Sequence, residues 1–194
     1  MISESETLAI RIEPLTGPYE PEIAALLRAM MPAGVDPIGL FRAFAKNPSM
    51  TRAMQAWGHR ELSRELSVSL RQRELVIDRT CARCGCEYEW GVHVAFFADR
   101  AGFTPAQVTS LTWGGPDDSC WEEESDRLLI RFVDSLHEQS DIGDELWAVL
   151  ALHFDQSQML DLLMLCGWYH AISFTARAGR LPNEPGTPTF ASVQ

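Results

Sequence analysis

The chain has 194 residues, 46% of them apolar, which is enough for one domain with a substantial core and no disulfide framework. Its formal net charge of -11, with no run of Lys or Arg, argues against a nucleic-acid partner, because such a partner calls for a concentrated basic face.

Residues 1–20 read as an extended, partly disordered lead, since Pro14, Gly17 and Pro18 interrupt any period. The opening stretch is acidic and lacks the basic start and apolar core of a secretory signal, so a cytoplasmic chain is expected. Helical periodicity then takes over, and residues 21–181 are expected to form one all-α domain. Ile23, Leu26, Leu27 and Met30 make one apolar stripe. Leu40, Phe41 and Phe44 make a second that ends at Asn47-Pro48, because a residue before proline avoids helical geometry. A third helix carrying Met54 and Trp57 is predicted from Ser49 towards Glu65.

Ser69 and Gln72 have capping-box spacing, which starts a helix near Leu70 and carries it to about Cys84, where Gly85 offers a break. Residues 86–101 resume the helical period through Tyr88, Val92, Ala95 and Phe96, and Gly102 supplies the stop. Thr104, Pro105 and Gln107 combine a cap, a first-turn proline and a capping box. WGGPDD at 113–118 reads as a loop and as the joint between two halves.

Beyond it come an acidic helix lined by Leu128, Leu129, Phe132, Val133 and Leu136, a short helix from Asp144 to Leu152, and a last one capped by Asp155 and Gln158. That last helix is apolar nearly all round from Leu162 to Trp168, so both its sides should be covered by the core or by a second subunit, which predicts a homo-oligomer. Its most apolar stretch, Leu162 to Tyr169, is far shorter than the roughly 20 residues of a membrane span, and no membrane association is expected. The tail 182–194 reads as irregular.

The chemistry concentrates in TCARCGCEYEWGVH at 80–93. Leu70, Glu74, Ile77, Cys81 and Cys84 recur at alternating spacings of four and three, which puts Glu74 on an apolar stripe, where an acid is costly unless paired. It should therefore be inaccessible and hydrogen-bonded near the helix-helix corner. Cys86, Glu89 and His93 follow at i, i+3 and i+7 along one edge of the next helix. Cys86 also follows Gly85 at the expected helix N-terminus, where the macrodipole favours a thiolate, with a Glu89 and His93 ion pair relieving the nearby negative charge. A nucleophile, two acids and an imidazole suffice for proton transfer coupled to thiol chemistry. The bland alternative is a small buried thiol beside a satisfied core histidine.

A zinc site from Cys81, Cys84, Cys86 and His93 offers four soft ligands, but Cys84 and Cys86 are only two apart across a break and a second C-x-x-C or H-x-x-x-H is missing. Cys120 and Cys166 stand alone and read as packing residues. His170, beside Tyr169, is either a buried hydrogen-bonded residue or faces a pocket.

The stretch RELVIDRTCARCGCEYEWGVHVAFFADRAGFT resembles the core motif of the carboxymuconolactone decarboxylase family, which includes the AhpD-type alkylhydroperoxidases. The family's glutamate, first cysteine and histidine fall on Glu74, Cys86 and His93. The YEW at 88–90 and AGFT at 101–104 are similar to a sub-branch that keeps Tyr-Glu-Trp before the histidine, and the half from 121 to GWYHAIS at 167–173 is similar to that branch as well. The resemblance implies an AhpD-like all-helical fold, homo-oligomeric assembly and a site needing neither metal nor cofactor. One departure stands out: peroxidase members carry a second cysteine where this chain has Glu89.

Three functions follow. The leading expectation is a thiol-dependent peroxide or alkyl hydroperoxide reductase of peroxiredoxin type. Cys86 would attack, Glu74 and His93 would relay protons, and Cys81 or Cys84 would resolve the sulfenic acid. The alternative enzyme is a cofactor-free carboxymuconolactone decarboxylase-like lyase in which Glu89 and His93 act as acid and base. The third is a non-catalytic small-molecule-binding member.

Overall fold

Residues 9–194 are described by the computed structural model; the first eight residues of the expected lead lie outside the described residues. Described residues 9–20 form no helix, and the backbone N–H groups of Arg11 and Ile12 donate to the carbonyl of Gly179. Nine α-helices follow, with no strand among the described residues, so the fold is all-α. They are α1 (Pro21–Ala29), α2 (Gly39–Phe44), α3 (Pro48–Glu61), α4 (Leu70–Arg83), α5 (Glu87–Ala101), α6 (Pro105–Trp113), α7 (Glu124–Gln139), α8 (Asp144–His153) and α9 (Gln156–Gly179).

The expected capping boxes begin α4, α6 and α9, with Ser69, Thr104 and Asp155 each accepting from the N–H three residues on. One boundary differs. α3 ends at Glu61 and does not run towards Glu65: the Ser63 hydroxyl donates to the Arg60 carbonyl and accepts from the Glu65 N–H, a local alternative to the helical ladder, and Leu66 turns into the core.

Helix α4 is the axis of the molecule, packed by α5, α6, α7 and α9. Every residue from Arg73 to Cys81 is buried, so its charged members need partners inside the protein. Arg79 finds them in a two-pronged pair with Asp134 at 2.7 and 2.8 Å and in the carbonyls of Leu111 and Gly114, both at 3.0 Å. The chain then reverses through a Schellman motif: Gly85 at φ +63° donates to the Ala82 carbonyl, and Cys86 donates to that of Cys81. This places α5 against α4 and sets the spacing of all that follows.

The loop at 113–118 is held by Asp118, which accepts from the Gly115 N–H at 3.0 Å and the Ser110 hydroxyl at 2.7 Å. The irregular tail closes with a short 3-10 turn, Phe190–Val193, packed on α6 and reaching the start of α5. There Glu87 accepts from Asn183 and the Phe190 N–H, while Glu184 accepts from the Tyr88 hydroxyl and the Gly39 N–H. Tyr88 also accepts from the Leu40 N–H at 2.8 Å, so the tail and the YEW segment together satisfy two orphan donors at the start of α2.

Helix α9, at 24 residues, is long and apolar enough by composition to cross a membrane, well beyond the short stretch read from sequence. Half of its most apolar window is buried, and it carries Asp161, paired with Arg60 at 2.6 Å, so packing on α4 and α5 accounts for its apolarity. Leu160 and Phe174 nevertheless remain 63% and 65% exposed on its outer face.

Candidate functional site

Glu74 projects from α4 into the α4–α5 corner with no solvent exposure. One carboxylate oxygen accepts from Arg73 Nε at 2.6 Å, and the other lies 2.7 Å from His93 Nδ1 on α5. The opposite ring nitrogen, Nε2, is 3.1 Å from the Tyr169 hydroxyl on α9 and 3.5 Å from Glu89 Oε1, one turn earlier on α5. Burial works against the charged imidazole, but the charge and hydrogen bond of Glu74, with Glu89 adding to both, override it and push His93 up to about 10. The ring is therefore an imidazolium at neutral pH, with Nδ1–H donating to Glu74 and Nε2–H directed between Tyr169 and Glu89. Burial and the neighbouring carboxylates push the Tyr169 hydroxyl well above its ordinary range, so it keeps its proton.

Glu89, His93 and Tyr169 form the polar end of an otherwise apolar cavity of about 260 Å³. Its walls come from the segment through α1–α3, with Ile38, Phe44 and Met54, and from Val92, Phe97 and Ile172. Glu89 Oε2 is buried without a hydrogen-bond partner in the protein. A low-dielectric chamber ending in a carboxylate, an imidazolium and a phenol is the arrangement for moving protons on a small, largely apolar molecule.

The thiols lie on the other side of the corner. Cys86 caps α5 at φ -90°, ψ 78°, outside helical geometry, so the i, i+3, i+7 alignment with Glu89 and His93 fails at its first member. Its sulfur is fully buried, does not line the cavity, and borders a separate groove with Arg177 and Asn183. Burial pushes the thiol up to about 11 against the pull of the Glu89 backbone N–H, so desolvation outweighs the helix-terminus effect expected from sequence. Cys81 and Cys84 are buried nearby, and the Ser173 hydroxyl of α9 donates to the Cys81 sulfur at 4.0 Å.

Of the residues singled out from sequence, the structure thus brings Glu74, Glu89 and His93 into one network and keeps Cys86, Cys81 and Cys84 outside it. The zinc set of Cys81, Cys84, Cys86 and His93 does not converge, because His93 is turned towards Glu74. Three participants were missed. Arg73 fixes Glu74, and only its position beside the acid hinted at that. Tyr169 closes the network across 76 residues, for which α4–α5 periodicity holds no signal. Asp78, one turn after Glu74, is buried with neither oxygen hydrogen-bonded, and burial with the adjacent Glu74 charge drives it well above the ordinary carboxyl range. Its signal was the charge-rich RELVID pattern, which places a second acid on the same helix.

Residues 48–128 match the sequence model of the carboxymuconolactone decarboxylase family, a span that contains Glu74, Cys86, Glu89 and His93 and stops short of Tyr169. No curated protein matches the chain. In three dimensions it is similar to the crystal structure of an uncharacterized peroxidase-related protein from Silicibacter sp. TM1040, with a TM-score of 0.77, 17% identity and 100% of each chain covered, a likeness of fold.

Proposed function

We propose, on the premise that the segment 48–128 belongs to the carboxymuconolactone decarboxylase family, that this chain is an acid–base enzyme acting on a small, largely apolar carbonyl compound or carboxylated lactone. The observation that carries the reading is that Glu89 and His93 line the cavity and Cys86 does not. Glu89 takes or returns a proton at carbon. The imidazolium of His93 and the Tyr169 hydroxyl face the oxygen on which negative charge develops, and a buried, pre-aimed donor pair is most effective there. In a decarboxylation the C–C bond to the carboxylate breaks, carbon dioxide leaves, and the electron pair becomes an enolate held by His93 and Tyr169. The carbon is then protonated from the Glu89 and His93 pair. Glu74, locked by Arg73, holds His93 in its charged form and orientation.

The second reading is peroxide reduction at Cys86, favoured by the buried free thiols of Cys81 and Cys84 close by in the chain and by the peroxidase-related description of the structural neighbour. It requires an opening that exposes a buried thiol and lowers it from about 11. The five free cysteines suit a reducing compartment, and the proposal sets the enzyme in the cytoplasm as a homo-oligomer whose subunits cover the apolar face around Leu152, Leu160 and Phe174.

The test supplies lactone carboxylic acids and apolar keto acids and follows carbon dioxide release together with solvent deuterium uptake at carbon. The expected result is turnover that Glu89→Gln abolishes and Cys86→Ser keeps. Hydroperoxide consumption with a dithiol, lost in Cys86→Ser and kept in Glu89→Gln, gives the site to the thiol instead.

A further inference from the structure

On the side of α4 away from the cavity, three soft donor atoms meet where α4, α7 and α9 converge. Cys84, the C-cap of α4, lies with its sulfur 3.9 Å from His137 Nδ1 on the last turn of α7. His137 Nδ1 is in turn 3.1 Å from His170 Nε2 on α9. All three atoms fall within 4.8 Å of one another, and no other such group of His, Cys, Asp or Glu occurs among the described residues.

The ring of His170 is fixed by its other nitrogen. Nδ1 is 2.9 Å from the Cys166 carbonyl, an acceptor, so Nδ1 carries the proton and Nε2 presents its lone pair to the cluster. This is the arrangement that sets the tautomer of a metal-binding imidazole: a backbone carbonyl on one nitrogen and a free lone pair on the other. Opposite it, His137 Nδ1 either donates a proton to that lone pair or shares a cation with it.

We propose that Cys84, His137 and His170 form a binding site for a borderline-soft divalent metal ion of the zinc class, with three protein ligands and a fourth position open to water or a small anion. Bond lengths of about 2.3 Å to sulfur and about 2.0 Å to nitrogen in a tetrahedral ion require donor separations of about 3.3 Å for N···N and about 3.6 Å for S···N. The observed 3.1 and 3.9 Å differ from these by a few tenths of an ångström, and the third pair, Cys84 sulfur to His170 Nε2, lies within 4.8 Å and must close further as the side chains rotate onto the ion. One thiolate and two neutral imidazoles leave a net positive centre, which suits an anionic fourth ligand. Ser173 and Arg177 line the groove that opens onto Cys84 and His137, and Arg177 donates to the Cys84 carbonyl at 2.6 Å, beside the open position. Arg83 is held aside by Asp134 and Glu138. This set shares only Cys84 with the zinc ligands weighed from sequence, because the two histidines come from helices more than fifty residues downstream.

The test uses the untagged full chain, stripped with a chelator, and cobalt(II) as the probe. The expected result is one equivalent bound with a near-ultraviolet thiolate-to-cobalt charge-transfer band and visible bands of a four-coordinate ion, displaced by one equivalent of zinc(II). Cys84→Ser should remove the charge-transfer band, and His137→Ala and His170→Ala should each weaken binding at least about tenfold. Cys120→Ser, at the partly exposed thiol, should change nothing. Should a ligand variant fail to fold, zinc(II) protection of Cys84 against mass-mapped alkylation in the unaltered chain gives the same answer, with an expected slowing of tenfold or more. Absence of the band and of protection leaves only an imidazole–imidazole hydrogen bond and overturns the proposal, as does a band that survives Cys84→Ser or follows Cys120.

Discussion

The two faces of the α4–α5 corner are built from one short motif and yet differ in kind. On the cavity face, Glu74, Glu89, His93 and Tyr169 are linked by hydrogen bonds that favour charge, and the imidazole is held protonated. On the thiol face, Cys81, Cys84 and Cys86 are buried, and desolvation holds each of them neutral. One stretch of sequence therefore yields a charged network on one side and neutral thiols on the other. The deciding quantity is whether each buried group meets a partner of opposite charge.

Exchanging the reactivity of the two faces is the largest effect expected. Glu89→Gln and His93→Gln should each lower turnover by about 10² to 10⁴, the usual weight of a positioned acid or base, while Cys86→Ser should stay within about threefold. Steady-state rates of the three variants on one substrate decide this, and a loss confined to Cys86→Ser would reverse the assignment.

Thiol labelling sharpens the same contrast. Iodoacetamide at neutral pH, mapped by mass spectrometry, should modify the partly exposed Cys120 first and Cys86 at least about tenfold more slowly. His93→Ala should leave the Cys86 rate unchanged, because the imidazole faces Glu74 and not the sulfur.

One turn after Glu74 on α4 lies one group that breaks this rule, the unpaired Asp78. Its folded pKa is raised, so folding takes up a proton above the ordinary carboxyl range near 3.8, and the stability cost grows as pH rises from there towards the folded value. Asp78→Asn removes that cost and should stabilise the chain by about 1 to 3 kcal/mol at pH 7, with little gain near pH 3.8; denaturant unfolding at the two pH values measures it.

The smallest effect is a slope. His93 is raised to about 10 from 6.5, so its contribution to stability is complete below pH 6.5 and is lost progressively as pH rises towards 10. The raised cysteines act in the same direction but only above their ordinary value near 9, and the raised Asp78 carboxyl adds a slope of the same sign from 3.8 upward, so the histidine's share is read between pH 6.5 and 9 in an Asp78→Asn background. His93→Gln should flatten the unfolding midpoint across that window.

What was legible in the sequence was whatever depended on local rules. Capping boxes at Ser69, Thr104 and Asp155 and the αL glycines at 85 and 102 marked helix ends correctly, because caps are satisfied within four residues. An acid among Leu70, Ile77 and Cys81 was legible as buried for the same reason. The cavity face was half legible: Glu89 and His93 share helical geometry, whereas Cys86 sits at a cap where periodicity no longer describes direction. Tyr169, His137 and His170 were not legible as site residues, since only the packing of α7 and α9 on α4 brings them into place.

The docking of the tail on α5 bears on how such chains can diverge. A Cβ on Gly91 would come 2.6 Å from the Pro188 carbonyl, so the helix lacks a side chain there because the tail's backbone occupies the space. The glycine has no φ requirement of its own, and an ordinary helix gains from alanine at such a position. Glycine 91 and the tail should therefore be inherited as a pair: among related sequences, those that keep the Pro188 segment should retain glycine, and those that have lost it should be free to drift to alanine.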